Sequence, residues 1–309
     1  MAMSRITSGA EHDFAEASSA PRALLRDLID YAGLFPPASL TMAQAVANYD
    51  SYLHSEWNWI LGRFIVPVAR IGEFEETCSG LPRTVGTDLA KWRLSVLLGA
   101  DPGPDVERIR QFSHRMAAVE SVEVKVANAE EIARLSKIIP VDLATYFEIP
   151  LFDSAACIAA VAECGRRAKI RMGGETADRF PSAANVIEFI HLCAASNVPF
   201  KATAGLHHPL RSVHRLTYQP ESASAMMHGF VNLFIAAAFV RAGMQSDIAV
   251  HLIEEQSEEA FHFDLDGVAW HQYRLSPGEI AEAHRAFAIS FGSCSFTEPI
   301  ADLRTLHLL

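Results

Sequence analysis

Four short runs in the middle of the chain carry ionisable residues at alternate positions. Side chains along an extended strand alternate between two faces. In Ser121–Ala127, Glu123 and Lys125 therefore oppose Val122, Val124 and Val126. In the run ending at Ile149, Tyr146 and Glu148 oppose Phe147 and Ile149. Lys169 and Arg171 oppose Ile170 and Met172, and Lys201 and Thr203 oppose Phe200, Ala202 and Ala204. Each run thus has one apolar face and one polar face. A lysine attacks a carbonyl when it is neutral, and burial or a neighbouring cation pulls its pKa toward neutrality. Lys169 and Lys201, on adjacent strands, are expected to act on each other in this way. Glu148 or Glu123 would shuttle the proton, with Tyr146 assisting as an acid.

Two acids, Glu123 and Glu148, face four bases, Lys125, Lys169, Arg171 and Lys201. Burying an unpaired charge costs several kcal/mol, of order, per ion. The charges must pair with one another as an ionic interior, bind something, or do both. The excess of bases suits a small anionic substrate, a carboxylate or a phosphate. Three small-residue loops follow the runs: Gly173-Gly174, Gly205-Leu206-His207-His208-Pro209 and Gly292-Ser293-Cys294-Ser295. Glycines there would let backbone N–H groups approach an anion. The expected binding set is Lys125, Arg171, Gly173, Gly174, Thr203, His207, His208, Gly292 and Ser293.

These residues need a scaffold. The chain alternates β-branched runs with amphipathic segments, the pattern of βαβ units. Strands are expected at 63–69, 92–98, 121–127, 142–149, 168–172, 199–204, 248–254 and 287–291. Helices are expected at 129–138, 153–166, 182–196 and 221–242. Two further helices should lead, one from Pro21 to about Gly33 and one capped by Thr41. Eight parallel strands close an α/β, (β/α)8 (TIM-type) barrel with an N-terminal helical extension, whose active sites lie at the C-terminal ends of the strands. The first strand lacks the glycine-rich phosphate loop of a doubly wound sheet. Asp266-Gly267 marks a hairpin inserted at 258–275, a lid, an oligomer contact or a surface ornament. The expected domains are a polar tail over 1–20 and one barrel over 21–309.

Length and composition agree with one large core: 309 residues, 50% hydrophobic and 20% charged. A net charge of −11 and the lack of a Lys/Arg run argue against nucleic acid as a partner. The first 21 residues have no apolar signal core, and Phe230–Val240 is too short to span a bilayer, so no membrane association is expected. Five scattered cysteines without a CxxC pair suggest reduced thiols in a cytoplasm. Homo-oligomerisation is left open.

The stretch AKIRMGG, a helix, and then VPFKATAG resemble the two lysine-bearing strands of class I, Schiff-base aldolases of the deoxyribose-phosphate aldolase type. Phe291-Gly292-Ser293-Cys294-Ser295 is similar to that family's last phosphate loop. The resemblance covers about 45 residues. It implies that Lys169 is the Schiff-base lysine, that Lys201 lowers its pKa, and that no cofactor is needed. Arg171 stands where the family has a small polar residue, and His207-His208 has no counterpart.

Two other functions fit the same residues. A divalent metal held by His207 or His208, His228 and a carboxylate such as Glu254 would make a hydrolase or isomerase. A barrel that binds an anion without turnover is the other. Asp30–Pro37, DYAGLFPP, reads as a helix stop followed by a rigid turn, with a loop folded over the barrel mouth as the alternative.

Overall fold

The computed structural model describes residues 19–80, 92–112 and 117–309, so the tail expected over 1–20 lies almost wholly outside the described residues. In chain order the strands are β1 (Ile29–Tyr31), β2 (Leu61–Pro67), β3 (Trp92–Leu97), β4 (Ala117–Lys125), β5 (Ala144–Glu148), β6 (Arg167–Arg171) and β7 (Phe200–Thr203). Then come β8 (Ser212–Arg215), β9 (Ser224–Met227), β10 (Phe261–Asp264), β11 (Gly267–Trp270), β12 (Tyr273–Leu275) and β13 (Ala288–Ser293). Eight of them close a ring in the order β1-β13-β7-β6-β5-β4-β3-β2. Every pairing in the ring is parallel. The chain is an α/β, (β/α)8 barrel.

The alternation of the charged runs holds. Val122, Val124, Phe147, Ile170, Phe200 and Ala202 are buried in the hydrophobic core. Ala204 lies beyond β7 at φ 59°, where the chain turns away from the strand. The Thr41 cap also holds. Its side chain accepts from the Gln44 N–H and the Gln44 side chain returns to the Thr41 backbone, a full capping box for the helix Met42–Leu53.

Three sequence expectations are corrected. The helix from Pro21 stops at Leu25, because Asp27 takes φ 55° and turns the chain into β1. The missing first strand of the barrel is thus Ile29–Asp30–Tyr31, inside the stretch read as a helix stop. Residues 248–254 are not a strand but part of the helix Ser246–Glu254. Its buried residues are Ala249, Leu252 and Ile253, a helical i, i+3, i+4 spacing that outweighs the β-branched composition. The helix expected from residue 221 begins only at Phe230, because 224–227 pairs with 212–215 as an antiparallel hairpin.

The hairpin expected around Asp266-Gly267 is present and gains a third strand, β12. Gly267 has φ 138° and a Cβ there would fall 1.8 Å from the Leu275 carbonyl oxygen, so glycine is required. No helix among the described residues is long and apolar enough to cross a membrane. The five cysteines are free.

A barrel strand buries consecutive residues alike, as β5 does, whereas this helix leaves His251 exposed between buried Ala249 and Leu252. Leu252→Ala and Ile253→Ala should each destabilise by about 2–5 kcal/mol, and exposed His251→Ala by less than about 0.5 kcal/mol. Urea unfolding measures all three; a loss at His251 as large as at its neighbours contradicts the helix.

Candidate functional site

The polar faces of β4, β5, β6 and β7 meet inside the barrel, joined by an acid from β1. Register places Glu148 opposite Lys169, and Lys169 opposite Lys201. Lys201 Nζ donates to Asp30 Oδ2 at 2.5 Å and to Glu123 Oε1 at 2.6 Å. Lys169 Nζ lies 2.7 Å from Glu123 Oε2 and 2.9 Å from Glu148 Oε2. Arg171 Nε donates to Glu148 Oε1 at 2.9 Å. The result is one chain of alternating charge: Asp30, Lys201, Glu123, Lys169, Glu148, Arg171.

Along that chain the side-chain exposures are 0, 1, 1, 5, 8 and 46%. The gradient decides which amine a ligand can reach. Lys169 lines a cavity of about 880 Å³ at the C-terminal ends of the strands, and Lys201 does not. The two amines also differ in directionality. Lys201 is hydrogen-bonded to both of its carboxylates, whereas Glu123 Oε2 has no hydrogen bond and meets Lys169 as an ion pair off the hydrogen-bond direction.

Serines complete the buried acids. Ser95 Oγ donates to Glu123 Oε1, and Ser121 Oγ donates to Ser95 Oγ. Ser290 Oγ and the Arg63 backbone N–H donate to the two oxygens of Asp30. Such bonds hold a buried carboxylate in its charged form. Burial alone would push Glu123 upward, but the Lys169 and Lys201 ammonium groups outweigh it and hold the carboxyl well below the usual range. Burial likewise works against the charge on Lys201, and Asp30 and Glu123 outweigh it, so its pKa is raised. This reverses the expectation that Lys201 is drawn toward neutrality by its neighbour. Lys201 is a fixed cation. Glu148 is also lowered: Lys169 and Arg171 overcome its burial.

The remaining expected residues divide between cavity and scaffold. Glu123, Lys125, Glu148, Arg171, Gly173, Gly174, Thr203, His207 and Gly292 line the cavity with Lys169. Tyr146 lies beneath, with the Lys201 amine 5.4 Å from its ring centre and its hydroxyl accepting from Arg167, so it does not face the cavity. Ser293 is buried against β1, where its carbonyl accepts from the Ala32 N–H. His208 Nδ1 sits 2.6 Å from Asp302 Oδ2, with its ring stacked on His214. His228 is held between Arg211 and the Pro181 carbonyl, and Glu254 lies in a separate depression. Among the described residues no three His, Cys, Asp or Glu side chains converge as metal ligands would. His207 faces the cavity and is pulled down to about 4 by burial and the neighbouring His208 and His214.

Asp30, Ser95 and Ser290 support the site and were not expected there. Asp30 changes the charge count from two acids against four bases to three against four. Its signal was a lone acid between Ile29 and Tyr31 in an apolar run, too short to show a period. The Phe35-Pro36-Pro37 loop does fold over the mouth. The packing of Gly173 against Gly205 and Phe180, and of Gly292 against Ile65 and Thr203, accounts for those glycines without an anion.

No protein-family model and no curated protein matches this chain. The aldolase likeness therefore stands on the residues around Lys169, Lys201 and Gly292 alone.

Breaking the buried chain should be costly. Glu123→Gln leaves two ammonium groups short of a partner and should lower stability at neutral pH by about 3–5 kcal/mol. A carboxyl with a depressed pKa stabilises above the unfolded value and loses that contribution as pH falls through its folded value. The gap between native protein and variant should therefore stay constant above about pH 4.3 and narrow below it. Urea midpoints at pH 7 and pH 3.5 check this, and an unchanged gap contradicts it. Lys201→Met should cost a similar amount at pH 7, and adding Asp30→Asn should cost less than the sum of the two single changes.

Proposed function

We propose that this barrel is a lysine-dependent enzyme acting on a carbonyl compound, with lyase or isomerase chemistry of the Schiff-base aldolase kind. One observation carries the reading: Lys169 is an amine at the floor of the cavity, between two carboxylates, beside a second lysine whose charge is fixed. The cavity lies at the C-terminal ends of the strands, where barrel enzymes work.

Lys169 must lose a proton before it attacks, and Glu148 Oε2 at 2.9 Å is the acceptor that also faces the cavity. Lys169 and Arg171 hold Glu148 charged, which makes it a weak base. An anionic group on the substrate would draw Arg171 away and strengthen that base. The amine then attacks the carbonyl carbon, and the carbonyl oxygen takes the proton from Glu148. Loss of water leaves an iminium that withdraws electrons from an adjacent C–C or C–H bond. Lys201 and Asp30 keep Glu123 in place as a buried carboxylate that balances the iminium charge. His207, neutral at pH 7, is within the same cavity for a further proton transfer.

A second reading, an anion-binding barrel without turnover, is favoured by the completeness of the ion pairing. Trapping separates the two. Incubation with small 2-oxo acids and aldehydes under borohydride should leave one reduced adduct on the Lys169 peptide. Lys169→Met should abolish it, and Lys137→Met, exposed and outside the cavity, should retain it. No adduct across the panel, or labelling of Lys137 alone, contradicts the lysine reading and leaves the binding barrel.

A further inference from the structure

The cavity has an ionic floor, apolar walls after β1 and β5, and a polar wall after β6 that includes Glu175, Thr176 and Asp178. Its volume of about 880 Å³ lies in the upper part of the range for small-molecule sites, about 300–1,000 Å³. Phe35, Pro36 and Pro37 follow β1, and Leu151 and Phe152 follow β5. β1 and β5 stand four places apart in an eight-stranded ring, so these apolar loops face each other across the mouth. Phe152 is 90% exposed, an apolar ring at the rim with almost nothing packed on it. Phe180 makes a third wall, seated on two glycines: a Cβ at Gly173 would lie 2.5 Å from its ring, and one at Gly205 2.9 Å.

The open positive charge comes from side chains. Arg171 commits only Nε to Glu148, which leaves its terminal nitrogens to the cavity. Lys125 also lines the cavity and has no ion-pair partner among the described residues. Both stand two residues beyond the floor residues Lys169 and Glu123 on their own strands, about 6–7 Å toward the mouth. Lys125 and Arg171 stand on β4 and β6, the strands that flank β5, and an ammonium and a planar guanidinium each match a carboxylate well. Hydroxyl groups laid between the loops after β1 and β5 would meet Phe35, Pro37 and Phe152 without hydrogen bonds.

We infer that the ligand is an amphipathic carboxylate: one carboxylate on Arg171 and Lys125, and an alkyl or aryl substituent of several carbons between the loops that follow β1 and β5. This names the substrate class of the proposed enzyme as carbonyl acids of that shape. It rests on the lysine reading only for the place of the carbonyl.

Carboxylates without a carbonyl test the inference apart from the lysine chemistry, because they cannot form a Schiff base. Calorimetry on the full chain would compare acetate, butanoate, hexanoate, octanoate and 3-phenylpropanoate with inorganic phosphate and glyceraldehyde 3-phosphate. Affinity should rise about threefold to fourfold per added methylene up to hexanoate. Arg171→Met should weaken the whole series by a common factor. Phe152→Ser, at an exposed position that folding does not need, should flatten the long end and leave acetate unchanged. Affinity that does not rise with chain length, or phosphate or glyceraldehyde 3-phosphate binding tighter than hexanoate, overturns the inference. A rising series together with failed borohydride trapping would remove the lysine chemistry and keep the ligand class.

Discussion

The interior of this barrel depends on one carboxylate, Glu123, shared by two ammonium groups. An eight-stranded barrel is ordinarily filled by branched apolar side chains. Here Glu123, Lys169 and Lys201 occupy that space, almost fully buried. Such charges are tolerated only when each has an opposite partner and its remaining lone pairs are met. Glu123 gives one oxygen to Lys201 and the other to Lys169, and Ser95 donates to the first. Asp30 closes the chain at the buried end and Glu148 with Arg171 at the open end. Any one of these groups would be hard to keep without the others.

That constraint makes the two lysines unequal. Lys201 is enclosed by carboxylates, with its amine over the Tyr146 ring, and serves to hold Glu123 and Asp30. Lys169 has the same kind of partners but opens onto the cavity. A fixed cation behind a shared carboxylate, with a reachable amine in front, separates support from reactivity. The loops add a second division, apolar after β1 and β5 and polar after β6.

Much of this was legible in the sequence, for a physical reason. Period-two alternation exposes which face of a strand is polar, and the runs around Glu123, Glu148, Lys169 and Lys201 each show it cleanly. Strand β1 was not legible, because three residues carry no period and Pro21 upstream announces a helix. Losing β1 meant losing Asp30, and with it the partner that fixes the charge on Lys201. The apolar run 248–254 was misread because β-branched composition and a one-sided helix look alike over seven residues; the i, i+3, i+4 burial of Ala249, Leu252 and Ile253 tells them apart. The glycine loops suggested an anion cradle, while close packing of Gly173 on Gly205 is what requires them.

The claim that matters most is the inequality of Lys169 and Lys201. The chain has five lysines, so each modified peptide can be assigned by mass. Reductive methylation of the folded protein with formaldehyde and cyanoborohydride, followed over time, compares their rates directly. Lys169 should be modified at a measurable rate that octanoate slows, while Lys201 stays unmodified until the protein is unfolded. Modification of Lys201 as fast as Lys169, or protection of both to the same degree, would contradict the account.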